Sequence, residues 1–151
     1  MQTLLLVEDN DDDAELTLRA FKDAHISNRV VRAHDGVEAL DYLFARGAHA
    51  GRAPDEVPAV ILLDLSLPRL NGIQVLEAIR ADERTSHLPV VVLTSSVEDK
   101  DRVAAYTHQV NGYVQKPVDY DRFVAAARQL GLYWLLLNVA APVAAGGPRR
   151  G

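Results

Sequence analysis

The chain contains no cysteine. That excludes a disulfide framework, a thiolate metal site and a cysteine nucleophile, and it suits a reducing cytoplasm. Positive charge is in deficit. With 16 Lys and Arg against 21 Asp and Glu the net charge is -5, so nothing overall favours nucleic acid. Long apolar runs are missing too. The longest, Leu132 to Leu137, falls far short of the ~20 residues that span a bilayer. The run Leu4 to Val7 stops at Glu8 and Asp9 and has no basic residue before it, so it does not read as the core of a signal peptide. The five histidines are scattered without ligand spacing, which disfavours a zinc site. There are no internal repeats, and no glycine-rich loop follows the first apolar run, as a dinucleotide-binding fold would require.

What is present is ordinary in bulk and specific in pattern. A chain of 151 residues with 48% hydrophobic and 25% charged residues can bury a core as one soluble domain. Five short runs rich in Val, Ile and Leu punctuate it: residues 3–8, 29–33, 59–64, 89–95 and 112–115. Most are continuous rather than alternating, the signature of strands covered on both faces. Helical periodicity lies between them. Residues 11–24 place Ala14, Leu18 and Phe21 on one face, 36–46 place Val37, Leu40 and Phe44, and 72–82 place Ile73, Leu76 and Ile79. Residues 98–108 are weaker, with Val103 and Tyr106, while 119–138 carry Phe123, Ala127, Leu130 and Trp134. Residues 47–58 read as a longer loop. Strand and helix alternate five times, and parallel strands need right-handed crossovers, so the expected fold is α/β, a doubly wound five-stranded parallel sheet. Residues 1–140 form the expected domain, residues 141–151 a flexible tail, and nothing is left for an output domain.

In such a sheet ligands bind beyond the carboxyl ends of the strands. The first run ends in Glu8 and Asp9, the third in Asp64, the fourth in Thr94, Ser95 and Ser96, and the fifth is followed by Lys116 and Pro117. If the first and third strands are neighbours, three carboxylates converge at one rim, where they cannot all stay ionised cheaply. A divalent cation resolves the conflict, and hard carboxylate oxygens suit Mg2+. A cation, a lysine and a hydroxyl are the equipment of phosphoryl transfer, with Asp64 as the nucleophile. After Asp64 the loop "LSLPRLNG" returns the chain to a helix. Pro68 fixes the turn, Asn71-Gly72 supplies flexible backbone, and a loop carbonyl is available to a metal.

The pieces "LLVEDN", "LLDLSLPRLNG", "VVVLTSS" and "GYVQKP", in that order, resemble the receiver domain of the two-component response regulator family over residues 3 to 130. The resemblance implies a flavodoxin-like (βα)5 receiver fold with, here, an extended C-terminal helix. It implies that Glu8, Asp9, Asp64 and the backbone carbonyl of Ser66 hold magnesium, and that Asp64 accepts a phosphoryl group from a sensor histidine kinase. It further implies that Lys116 and Thr94 contact that group, and that Thr94 and Tyr113 form the switch remodelling the face built from the fourth helix, the fifth strand and the fifth helix. The protein would then be a cytoplasmic signalling protein rather than an enzyme, catalysing only its own phosphotransfer and dephosphorylation. "EDNDDDAELTLRAF", "LDYLFARG" and "FVAAARQLGLYWLLL" are similar to stand-alone receivers paired with bacterial phytochrome-type kinases. Asp11 stands where that group would carry proline, and both suit a helix N-terminus.

Blander readings stand beside these. Glu8 and Asp9 alone could be strand-end solvation, Thr94, Lys116 and Tyr113 alone could be structural, and Asp11, Asp12, Asp13 and Glu15 read as a solvated, dipole-compatible first turn. The run Leu132 to Leu137 covers every face of a helix, so one side cannot pack on the sheet. It is expected to form a homodimer seam through Tyr133, Trp134, Leu136 and Leu137. Two other functions share the rim chemistry. A haloacid-dehalogenase-like phosphatase would also use a strand-end aspartate, but it wants a second aspartate where Ser66 stands. A receiver-like scaffold would not need Asp64, Thr94 and Lys116 intact.

Overall fold

Each of the five apolar runs forms a strand in the computed structural model, which describes residues 3–26, 28–52, 57–65, 67, 70–94, 110, 112–115 and 120–130. The strands are β1 (Leu4–Val7), β2 (Val30–Ala33), β3 (Val60–Asp64), β4 (Val90–Thr94) and β5 (Gly112–Gln115). They form one parallel sheet in the order β2-β1-β3-β4-β5. The described helices are α1 (Asp11–Asp23), α2 (Gly36–Leu43), α3 (Gly72–Ala81) and α4 (Tyr120–Leu130). The segments expected as a helix over 98–108 and as an extension of the last helix beyond residue 130 lie outside the described residues.

Period-2 alternation sorts β1, β3 and β4 between two cores. Leu4, Leu6, Val60, Leu62, Val91 and Leu93 face Ala14, Phe21 and Ala127 from α1 and α4. Leu5, Val7, Ile61, Leu63, Val90 and Val92 face Leu40, Leu43, Leu76 and Ile79 from α2 and α3. Both faces are covered, so β1 and β3 are buried at every position and need no polar alternation. A leucine such as Leu5, fully buried, contributes about 1.5–3 kcal/mol through the water its side chain leaves.

Three helices start on side-chain caps. Asn10 accepts the Asp13 N–H at 2.9 Å, Asp35 accepts the Glu38 N–H at 2.7 Å, and Asn71 and Gln74 form a reciprocal capping box. The Asn10 and Asp35 caps let the chain pass from β1 and β2 into their helices over two or three residues, whereas Asn71 starts α3 after the loop that follows Asp64.

Two expectations need correction. Leu18 is not on the buried face of α1 but 41% exposed. The inward stripe runs through Ala14, Thr17, Ala20, Phe21 and Ala24, and Leu18 lies past its edge. Thr17 is tolerated inside because its hydroxyl donates to the Asp13 carbonyl at 2.9 Å. The second helix stops at Leu43 rather than running to 46. Ala45 and Gly47 take φ of 52° and 59°, and a 3-10 turn follows over Gly47–His49. At Gly47 any Cβ would also lie 2.6 Å from the Asp41 carboxylate.

Candidate functional site

The register of the central strands sets the site. Val7 pairs with Leu63, so the next residues, Glu8 and Asp64, stand abreast on adjacent strands. The strand order reverses at β1 and β3, the place where open α/β sheets present their binding crevice. Carboxylate oxygens of Glu8, Asp9 and Asp64 lie within 4.8 Å of one another. Glu8 is fully buried and Asp64 only 4% exposed, while Asp9 faces solvent. Two buried carboxylates beside a third repel one another in a medium that screens weakly. The donor set fits a small hard cation. All three groups are carboxylates, two are held by strand ends, and the exposed side at Asp9 leaves room for water in the shell.

Close packing fixes the third strand's end. A Cβ on Gly72 would lie 2.5 Å from the carbonyl oxygen of Asp64 and 2.6 Å from the Cα of Leu65. Only glycine lets the start of α3 come this near, and the Gly72 N–H donates to the Leu65 carbonyl at 3.1 Å. Asn71-Gly72, read as flexible turn residues, is therefore a packing requirement of the site.

The first strand's end is held by different means. The Glu8 carboxylate accepts the Asn10 N–H at 3.3 Å, and the Glu8 N–H donates to the Ala33 carbonyl at 3.0 Å. The Glu8 carbonyl accepts Nε of Arg32, on β2, at 3.0 Å. The same guanidinium reaches Asp11 Oδ1 through Nη1 at 2.8 Å. Its Nη2 is closed off from solvent with no acceptor among the described residues. A buried N–H in that condition costs about 1–3 kcal/mol, so the other two contacts hold the side chain in place. Arg32 was missed in the sequence. Its signal is a basic residue inside an apolar run, paired in register with Leu6, two residues before Glu8. Asp11 and Asp12 are exposed and Asp13 half-buried in the first turn of α1, as expected of solvated, dipole-compatible acids.

The remaining site residues fall unevenly. Asp64 pairs with Leu93, so the backbone of Thr94, the last residue of β4, comes one step further along, on the strand next to Asp64. Tyr113 lies on β5, its backbone paired with Val92. Ser66, Lys116, Tyr133, Trp134, Leu136 and Leu137 lie outside the described residues.

Acids on the flank built by α2, the turn after it and the end of α3 sit differently. Glu38 meets the His34 ring at 3.1 Å and His49 at 3.5 Å, Asp41 meets Arg46 at 2.9 Å, and Asp82 meets Arg84 at 2.7 Å. Burial pushes the Glu38 carboxyl up, but hydrogen bonds from the His34 amide and ring and from His49 together outweigh it, leaving it below the ordinary value. The Arg84 side-chain hydrogen bond holds Asp82 at about 2.

Comparison with known proteins follows the same lines. The family described as "Response regulator receiver domain" matches residues 4–128. A curated relative, "Probable methanogenesis regulatory protein FilR2" of Methanothrix harundinacea, is 40% identical over 135 residues, covering 89% of this chain and 84% of its own. Among solved structures, "Bacteriophytochrome response regulator RtBRR" is 47% identical with a TM-score of 0.79, covering 89% of this chain and 80% of that one. The Mn2+-bound form of response regulator Rcp1 is 29% identical with a TM-score of 0.76, covering 99% of this chain and all of that one.

Proposed function

The chain belongs to the response regulator receiver family, the signalling proteins that accept a phosphoryl group, and we propose that Asp64 is its phosphoacceptor. One observation carries this reading: Asp64 ends a buried strand abreast of Glu8, with Asp9 beside them, at the switch point of the sheet. An Asp64 carboxylate oxygen attacks the phosphorus of a phosphohistidine. The P–N bond breaks, the imidazole leaves and takes up a proton, and Asp64 becomes an acyl phosphate. Burial among strand ends fixes the nucleophile's direction and limits the water that competes with it. Glu8, Asp9, Asp64 and the Ser66 carbonyl would hold Mg2+. When bound, the cation neutralises the crowded carboxylates and the charge of the transferring oxygens. The Mn2+ found with Rcp1 supports a divalent ion of this class. Lys116 and Thr94 contact the phosphoryl oxygens, and Thr94 with Tyr113 passes the change to the outer surface by shifting a pre-existing equilibrium.

The name of RtBRR supports a bacteriophytochrome-type histidine kinase as the upstream partner. The domain spans residues 1–140, with 141–151 a tail. It works in the cytoplasm, without nucleic acid, as a homodimer joined through Tyr133, Trp134, Leu136 and Leu137. Among the described residues no helix is long and apolar enough to cross a membrane. Turnover is limited to its own phosphotransfer and dephosphorylation. The matched family leaves the haloacid-dehalogenase-like alternative without support.

Intact mass after acetyl phosphate treatment tests the proposal. The expected result is one phosphoryl adduct that needs magnesium and is absent from Asp64→Asn. A folded protein that takes up no phosphoryl group and releases no phosphate points to the scaffold, and an adduct that survives in Asp64→Asn removes Asp64 from its role.

A further inference from the structure

We propose that Arg32 is a positioning residue for the cation site, acting through the main chain of Glu8 rather than by its charge. The proposal rests on the reading of Glu8, Asp9 and Asp64 as that site, and it names a residue outside the group.

Arg32 joins three elements. Its backbone belongs to β2, its Nε donates to the carbonyl of Glu8 just after β1, and its Nη1 pairs with the first residue of α1. The two residues between those contacts are Asp9 and Asn10. The guanidinium therefore spans the short segment from Glu8 to Asp11 that must present two carboxylates toward Asp64. Its planar fork suits this, because one rigid group reaches two acceptors in fixed directions. The side chain is 20% exposed, whereas that of Asp11 is 87% exposed. An ion pair with so exposed a partner contributes little. The half-buried bond to the Glu8 carbonyl is the contact that matters. Arg32 also occupies Asp11, keeping the nearest further acid turned to β2.

Charge and tether make opposite forecasts. If Arg32 acted only as a nearby positive charge, its removal would tighten cation binding, because the three carboxylates would attract a cation more strongly. If it acts by holding the segment, removal weakens binding. Loss of residues that orient metal ligands commonly weakens affinity 10–100-fold, and a bond to the ligand's main chain belongs at the lower end, about ten-fold.

Titration calorimetry with Mg2+ on the full chain decides between them, with circular dichroism confirming the fold. Arg32→Gln is expected to weaken Mg2+ about ten-fold, and Asp11→Asn to change it less than about three-fold. Arg32→Lys keeps the charge but has one donor centre, so it should fall between parent and Arg32→Gln. It carries the test if Arg32→Gln does not fold. With acetyl phosphate, the magnesium concentration giving half the maximal rate should rise in step while the rate at saturating magnesium returns to that of the parent. Binding that tightens or is unchanged in Arg32→Gln, full recovery in Arg32→Lys, or a rate that falls equally at every magnesium concentration would overturn the proposal. A parent that binds no Mg2+ would instead bring down the site reading on which it rests.

Discussion

The rim beyond β1 and β3 and the flank beside α2 and α3 handle acidic residues in opposite ways. On the flank Glu38, Asp41 and Asp82 each meet a basic side chain a few residues away in sequence. These are surface arrangements, settled within one helix end or turn, and worth little individually. At the rim, residues from strands far apart in sequence bring three carboxylates within 4.8 Å, two of them buried. Arg32, on the neighbouring strand, places its contacts on the Glu8 carbonyl and on Asp11. Like charges are thus gathered where chemistry is expected, while on the flank acids and bases meet in local pairs, and such gathering is common at functional sites.

The largest test of this contrast adds the cation. At one hundred times its dissociation constant, magnesium is expected to stabilise the parent by about 2.7 kcal/mol in chemical denaturation, and Asp9→Asn should lose most of that gain. A denaturation midpoint indifferent to magnesium would place rim and flank in the same class. Next comes Asp64→Asn without any divalent ion. Removing one buried like charge should raise stability by about 1 kcal/mol, measurable in urea with chelator present, and a clear loss would show that the rim is not strained. The smallest effect belongs to the flank. Glu38→Gln should lower stability by about 0.5 kcal/mol, discounted for exposure, with no dependence on magnesium. The Glu38 carboxyl titrates below its ordinary 4.5 in the folded protein, so its contribution is whole above that pH. It is lost as pH falls through the folded value. Parent and variant should therefore converge in acid, and a gap that widens there would reverse the assignment.

Much of this arrangement was legible beforehand for physical reasons. Runs such as Ile61 to Leu63, too short for a helix and rich in branched apolar residues, fit strands buried on both faces. The acids Glu8, Asp9 and Asp64 stood out because a charge directly after an apolar run needs a rim. Leu18 was misplaced because the periodicity of apolar residues ignored Thr17, whose hydroxyl bonds its own helix and so hides its polarity. Arg32 and Gly72 were missed as site residues for a different reason. Each matters through contact with another segment's main chain, and no local spacing reports that.

The pairing of Val7 with Leu63 has a consequence for how the molecule comes together. Glu8 and Asp9 are adjacent in the chain, but Asp64 reaches them only after the whole of α1, β2 and α2 has been looped out and β1 has found β3. Contacts of such long range form slowly, because the chain entropy of closing the loop is lost before the contact stabilises anything. A chain still emerging from the ribosome, or one caught before that pairing, would bring together only two of the three carboxylates proposed to hold a divalent ion. With the proposed cation site, uptake during refolding would report the docking of the third strand against the first, and the same carboxylates would serve as a clock for the assembly of the sheet.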